Sequence, residues 1–181
     1  MAIYLIDADE SSVTLDASNH TSASIRGIFR NVAGTLTLDC ERPERTTLAV
    51  YATASSLYTG SRERDARMCG ASFLDAQRHP LVSFWSSSAE VEGVGLYRLA
   101  GHLSIRGVSQ PLVVDGERSW STKGPQGAER VGFVAQSILR RSEWSPLRGP
   151  EVEASGWFSG GDAVLRIEVS AVKREPVQWW P

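Results

Sequence analysis

The sequence predicts an all-β fold, a run of about eight or nine antiparallel strands that form a closed barrel or a sandwich, with one short helix between strands. Three observations carry this. Apolar and polar residues alternate with a period of two over most of the chain, the pattern of strands with one face on a core and the other in water. Short polar or glycine-bearing turns separate the alternating runs, as hairpin connections require. A single stretch breaks the rhythm with helical character.

Taking the elements in order, weaker alternation covers Val13 to Ala17, Ile25 to Phe29, Leu36 to Cys40, Thr46 to Ala54, Leu81 to Glu90, Val108 to Arg118 and Val131 to Leu139. Two runs are clear. From Tyr97 to Ile105 one face presents Tyr97, Leu99, Gly101, Leu103 and Ile105; from Val164 to Val172 the inward set is Leu165, Ile167, Val169 and Ala171. Asn31 to Gly34, Glu92-Gly93, Arg106-Gly107 and Ser121 to Ala128 read as turns between them. Thr59 to Gly70 is the helical stretch: Thr59 or Ser61 is placed to cap it, charges fill its first turns, and Gly70 suits a left-handed residue after it. Pro146 and Gly149-Pro150 make a loop of Trp144 to Pro150. Closing the sheet removes edges that invite aggregation. No repeat divides the chain, so residues 1–174 read as one domain. Residues 175–181, ending Gln178-Trp179-Trp180-Pro181, read as a tail that folds back over the barrel, joins a homodimer or touches a membrane.

Composition removes several function classes. At 181 residues and 41% hydrophobic the chain has the apolar material for one core. A net charge of -2 with only Lys123 and Lys173 as lysines offers no cationic face for nucleic acid, and Arg62/Arg64/Arg67 and Arg140/Arg141 read as carboxylate partners or solvated charges. Cys40 and Cys69 sit in no CxxC pattern and make no metal set with His20, His79 and His102, so neither metal nor cofactor is expected. There is no GxSxG nucleophile motif, and Gly160-Gly161 lacks the lysine of a phosphate loop. No segment approaches the roughly 18 apolar residues of a membrane span. Met1 to Asp7 has neither a basic lead nor a long apolar stretch, so a cytoplasmic location is expected.

Several dispersed motifs stand out: Ile6-Asp7 with Ser12-Val13; His20, Gly27, Phe29 and Gly34; Ser56, Thr59-Gly60, Arg64-Asp65, Phe73, Asp75, Pro80 and Phe84; Gly101 to Val108 with Pro111; Gly132-Phe133 with Ala135; and Arg141-Ser142. Through these the chain resembles the YceI-like family of polyisoprenoid-binding proteins, lipocalin-like barrels, over nearly its whole length. It departs from the family pattern at Tyr4, Glu10-Ser11, Arg140 and Ser145. The resemblance implies the barrel over the sandwich, a closed antiparallel up-and-down β-barrel of about eight strands with one short helix between strands, enclosing a long apolar chain.

The residues fit such a ligand. Phe29, Val50, Phe84, Trp85, Leu99, Leu103, Phe133, Trp144, Trp157 and Ile167 are the expected cavity wall, with Gly27, Gly101 and Gly132 leaving space; the alternative is that these side chains fill a solid core. Arg64, Asp65 and Arg141 read as anchors at the barrel mouth, the arginine donating to strand carbonyls, or as head-group contacts. Two functions follow: a carrier of one isoprenoid, lipid or polyketide-like molecule, or a cofactor-independent cyclase or isomerase that folds a polyene or polyketide substrate during natural-product biosynthesis. The second needs a polar group in the cavity, for which Tyr51, Tyr58, Asp65, Glu143 and His20 are candidates.

Overall fold

The structure, a computed structural model, describes residues 1–18, 24–124, 127–144 and 161–174. Among them eleven strand segments form one sheet: β1 (Ala2–Ile6), β2 (Ser12–Ser18), β3 (Ser24–Phe29), β4 (Val32–Leu38), β5 (Thr47–Thr53), β6 (Leu57–Tyr58), β7 (Leu81–Gly93), β8 (Leu96–Ile105), β9 (Val108–Lys123), β10 (Glu129–Leu139) and β11 (Ala163–Lys173). The pairing order β1-β4-β5-β7-β8-β9-β10-β11 closes on itself because Tyr4 to Ile6 pair with Lys173 to Ala171. The other three segments are continuations. β2 runs on along β11 where β1 leaves it, β3 pairs with β2, and β6 with β3. The molecule is thus an eight-stranded antiparallel up-and-down barrel in which three long strands are broken midway.

Each break has a local cause. The first strand is kinked by a turn of 3-10 helix at Ala8–Glu10, which Asp7 caps by accepting from the Asp9 amide at 3.2 Å. Where the kink interrupts the ladder, the Ser11 hydroxyl accepts from the Ser170 amide at 3.1 Å and donates to its carbonyl at 3.3 Å, satisfying groups that would otherwise be buried unpaired. Arg130 on β10 pins the kink, its Nη2 lying 2.9 Å from Asp7 and 2.7 Å from Glu10. In the second strand the expected turn at Asn31 to Gly34 is instead the junction of β3 and β4. Gly34, at φ +151°, presses so close to β5 that a Cβ there would sit 2.0 Å from the Ala49 carbonyl oxygen. The third break is a second 3-10 turn, Ala54–Ser56.

The helix α1 (Arg62–Cys69) follows β6 at the end of the barrel that also holds the β8–β9 turn and the start of β7. Ser61 is its cap, accepting from the Arg64 amide. Gly70 is extended (φ −69°, ψ 174°), not left-handed as its place after the helix suggests. The chain is turned back further on, by Leu74 N–H donating to Met68 and Asp75 N–H to Gly70, with Asp75 itself at φ +48°. Alternate residues of every strand point inward, and the fully buried large side chains include Phe84, Leu99, Leu103, Phe133, Leu139 and Trp144.

Candidate functional site

Among the described residues the large apolar surface that the strands build together is the barrel interior, so the candidate site is its wall and the segment that covers its helix end. Val13 and Leu15 on β2, Phe29 on β3, Val50 on β5, Val82 and Phe84 on β7, Leu99 and Leu103 on β8, Phe133 on β10 and Leu165 and Ile167 on β11 are all at most 6% exposed. Of the buried polar side chains, Ser11, Asp39, Thr46 and Asp75 sit at kinks, turns or strand ends, and Ser170, within β11, lies against the kink at Ser11. Over the helix end, the turn after α1 sends Phe73 and Leu74 down into the mouth, where they are 5% and 3% exposed.

Two apolar voids lie along the interior, each of about 10 Å³, room for roughly one water molecule. The first is bounded by Phe73 and Leu74, the second by Val50, Phe84 and Ile167 deeper down; both are lined by Val13, Val82, Leu103 and Leu165. Ligand pockets usually run from about 300 to 1,000 Å³. Two of the expected glycine gaps, Gly101 and Gly132, are taken up. A Cβ at Gly101 would meet the Trp85 carbonyl oxygen at 2.1 Å, and one at Gly132 would meet the Trp120 indole at 2.2 Å. Larger hollows, of about 440 and 840 Å³, lie outside the barrel, rimmed by charged residues such as Asp115, Arg140 and Arg166.

Of the expected wall, Phe29, Val50, Phe84, Leu99, Leu103, Phe133, Ile167 and Trp144 are buried. Trp85 is a correction. It is 38% exposed on the outer face and stacks on His102 with ring centroids 5.7 Å apart, because its neighbour Phe84 takes the inward position and adjacent strand residues face opposite ways. Trp157, His20 and residues 175–181 lie outside the described residues, as does the Arg141 side chain.

The polar candidates do not converge on the interior. Tyr51 and Tyr58 are 42% and 41% exposed, and Arg30 lies over the Tyr58 ring at 3.6 Å. Glu143 is exposed and pairs with Arg140. Asp65 accepts from the Thr59 amide at 2.8 Å and hydroxyl at 2.6 Å, while Arg64 Nε donates to the same hydroxyl oxygen at 2.9 Å. Arg64 and Asp65 therefore fix the approach to α1 rather than tie it to strand carbonyls. The residue that does reach across is Arg106 of the β8–β9 turn, whose Nη2 donates to Ala71 O at 2.8 Å and Nη1 to Ser72 O at 3.3 Å. Sequence reasoning missed this role. Its one visible signal was Arg106-Gly107 as a two-residue turn, which needs positive φ at both positions (52° and 72°) and so aims the arginine outward over the mouth.

The opposite end is closed by charge and hydrogen bonding. Buried Tyr4 donates to Glu129 Oε1 at 2.6 Å, and Lys173 Nζ donates to Glu129 Oε2 at 2.7 Å. Lys173, then Tyr4, hold the Glu129 carboxyl below the usual carboxylate range. Burial, then the bond to Glu129, push the Tyr4 phenol well above its ordinary value. Among the described residues no cluster of three His, Cys, Asp or Glu side chains is placed to hold a metal ion, and no helix is long and apolar enough to cross a membrane.

Known proteins share this architecture. BcnA of Burkholderia cenocepacia superposes with a TM-score of 0.78 over 91% of this chain and 98% of its own at 17% identity, a likeness of fold. The YCEI protein of Campylobacter jejuni gives 0.71 at 25% identity over 84% and 87%. A polyisoprenoid binding domain from Saccharophagus degradans gives 0.65 at 14% identity over 97% and 100%. In sequence, a UPF0312 protein of Pseudomonas savastanoi pv. phaseolicola is 30% identical over 151 residues, 82% of this chain and 78% of the relative. The model of the YceI-like domain matches residues 4–171, and with that match the chain belongs to the YceI-like family.

Proposed function

We propose that this protein binds one long hydrophobic molecule, an isoprenoid, lipid or polyketide-like chain, inside its barrel. The observation that carries the reading is the apolar lining from Phe73 to Ile167, with packing faults aligned along it and, among the described residues, ionisable groups kept to the barrel ends and outer face. Such a lining binds by burial alone, at about 25 cal/mol per Å² of apolar surface removed from water. Family membership and the polyisoprenoid binding domain among the fold neighbours support the same ligand class. The cyclase reading has no comparable support: Tyr51, Tyr58 and Glu143 face outward and Asp65 is bonded to Thr59, so none is placed to protonate a substrate in the lumen.

The test is native mass spectrometry of the protein purified from its source cell, followed by organic extraction. The expected result is a single apolar species at one per chain. Protein without such a mass, combined with no uptake of a fluorescent polyene fatty acid, refutes the proposal.

A further inference from the structure

The two interior voids bounded by described residues, of about 10 Å³ each, are far too small for a long chain, so a ligand that enters them must take space from something. Three observations single out what yields. First, among the described residues that line the upper void, Phe73 and Leu74 are the two that do not belong to a strand; they come from the turn after α1. Second, the backbone hydrogen bonds that close this turn run within it: Phe73 to Gly70, Leu74 to Met68, Asp75 to Gly70, Ala76 to Cys69, and Arg78 and His79 to Asp75. These bonds are separate from the barrel ladder, so they hold the turn together independently of it.

Third, the β8–β9 turn grips it from outside. Arg106 donates to the carbonyls of Ala71 and Ser72, the two residues just before Phe73. Gly107 packs under the His79 ring so closely that a Cβ would lie 2.8 Å from Cε1. Among the described residues, Arg106 and Asp75 are the two non-glycine positions with positive φ (52° and 48°), and they stand on the two sides of this contact. Left-handed backbone at such residues persists only where surrounding contacts hold it.

Building on the carrier reading, we infer that Phe73 and Leu74 form a displaceable plug in the place that the leading end of the ligand takes, and that Arg106 is the positioning residue that latches the plug shut. The occupant and the ligand are chemically alike, both apolar, so exchange costs the barrel no buried polar group. Association is then limited by the fraction of molecules with the latch open.

The experiment pairs two readouts on Arg106→Gly, Arg106→Lys and the double variant Phe73→Ala/Leu74→Ala. Arg106→Gly removes the guanidinium while suiting the positive-φ turn, so the hairpin is kept. Hydrogen exchange of the ligand-free protein reports the latch, and stopped-flow uptake of cis-parinaric acid reports access to the barrel. Arg106→Gly should raise exchange at residues 70–79 and speed uptake about tenfold, the effect of losing charge-assisted bonds to two carbonyls. Arg106→Lys should fall between, and the double variant should take up the probe fast whatever stands at 106. Uptake at one common rate with unchanged exchange overturns the plug and leaves the carrier reading intact. No uptake by wild type or any folded variant overturns both.

Discussion

Truncating Leu103 to alanine tests the inside of the barrel most directly. Leu103 is 2% exposed and lines both voids, so its loss joins two spaces of about 10 Å³ into one larger apolar cavity. The cost has two parts, the lost transfer free energy of the side chain and the cavity left behind. Buried Leu→Ala changes cost about 2–5 kcal/mol. The upper half of that range applies here, because β8 is held by full ladders to β7 and β9 and cannot sink inward to close the gap. At roughly 2–4 °C per kcal/mol for a chain of this size, the melting temperature should fall by about 7–20 °C. Urea denaturation measures the same loss as a lower midpoint at unchanged slope. Trp85→Ala is the control: a larger side chain, but outward and 38% exposed, so its loss should cost about 1 kcal/mol. The new space should also stay dry and accept apolar molecules, tightening the binding of a straight-chain probe. A Leu103→Ala cost no larger than the Trp85→Ala cost would refute the face assignment of β7 and β8.

Two further outcomes follow from contacts away from the voids. Gly101→Ala forces a Cβ to within 2.1 Å of the Trp85 carbonyl oxygen and 2.7 Å of Ser86 Cα, backbone atoms beside the bulge between Ser86 and Ser88. It should destabilise by about 3 kcal/mol or leave little soluble protein, and a midpoint within error of wild type would show that the β7–β8 approach is looser than described. At the closed end, Glu129 has a depressed folded-state pKa, so its contribution is present above the unfolded value of about 4.3 and is lost as pH falls through the lower folded value. Wild type should therefore lose more stability than Glu129→Gln in that acid window, and Tyr4→Phe should narrow the difference; parallel acid titrations of the two proteins would sink the Tyr4–Glu129–Lys173 account.

How far the sequence was readable depends on what each element shows locally. β8 and β11 announce themselves because Leu99, Leu103, Leu165 and Ile167 alternate with polar residues. β1 does not: Ile3 and Leu5 face outward at 39% and 47% exposure, so both faces are apolar and no alternation appears. The 3-10 kinks are equally silent, since three residues carry no period, and a kink at Asn31 is written with the same residues as a turn. Phe84-Trp85 is an adjacent aromatic pair of which only one member can face inward, and register alone decides which. Arg106 lies furthest from local reading. Its partners, Ala71 and Ser72, are 35 and 34 residues away, and the bond exists because a positive-φ turn happens to stand over the mouth.

A plug also predicts which ligands are worth binding. Exposing Phe73 and Leu74 costs about 1.5–3 kcal/mol each, so about 3–6 kcal/mol must be recovered before any net affinity appears. At about 25 cal/mol per Å² that is roughly 120–240 Å² of ligand surface, or about four to eight methylenes at 0.8 kcal/mol apiece. Short apolar molecules should then fail to open the barrel, whereas each methylene beyond the threshold adds affinity, which selects length without any group that measures it. Competition of straight-chain alcohols of increasing length against a polyene probe reads this directly. The wild-type series should show a lag and then a rise, and Phe73→Ala/Leu74→Ala should move the onset to chains several carbons shorter. Identical onsets in the two proteins would mean that the ligand makes its room elsewhere, and that Phe73 and Leu74 are ordinary core.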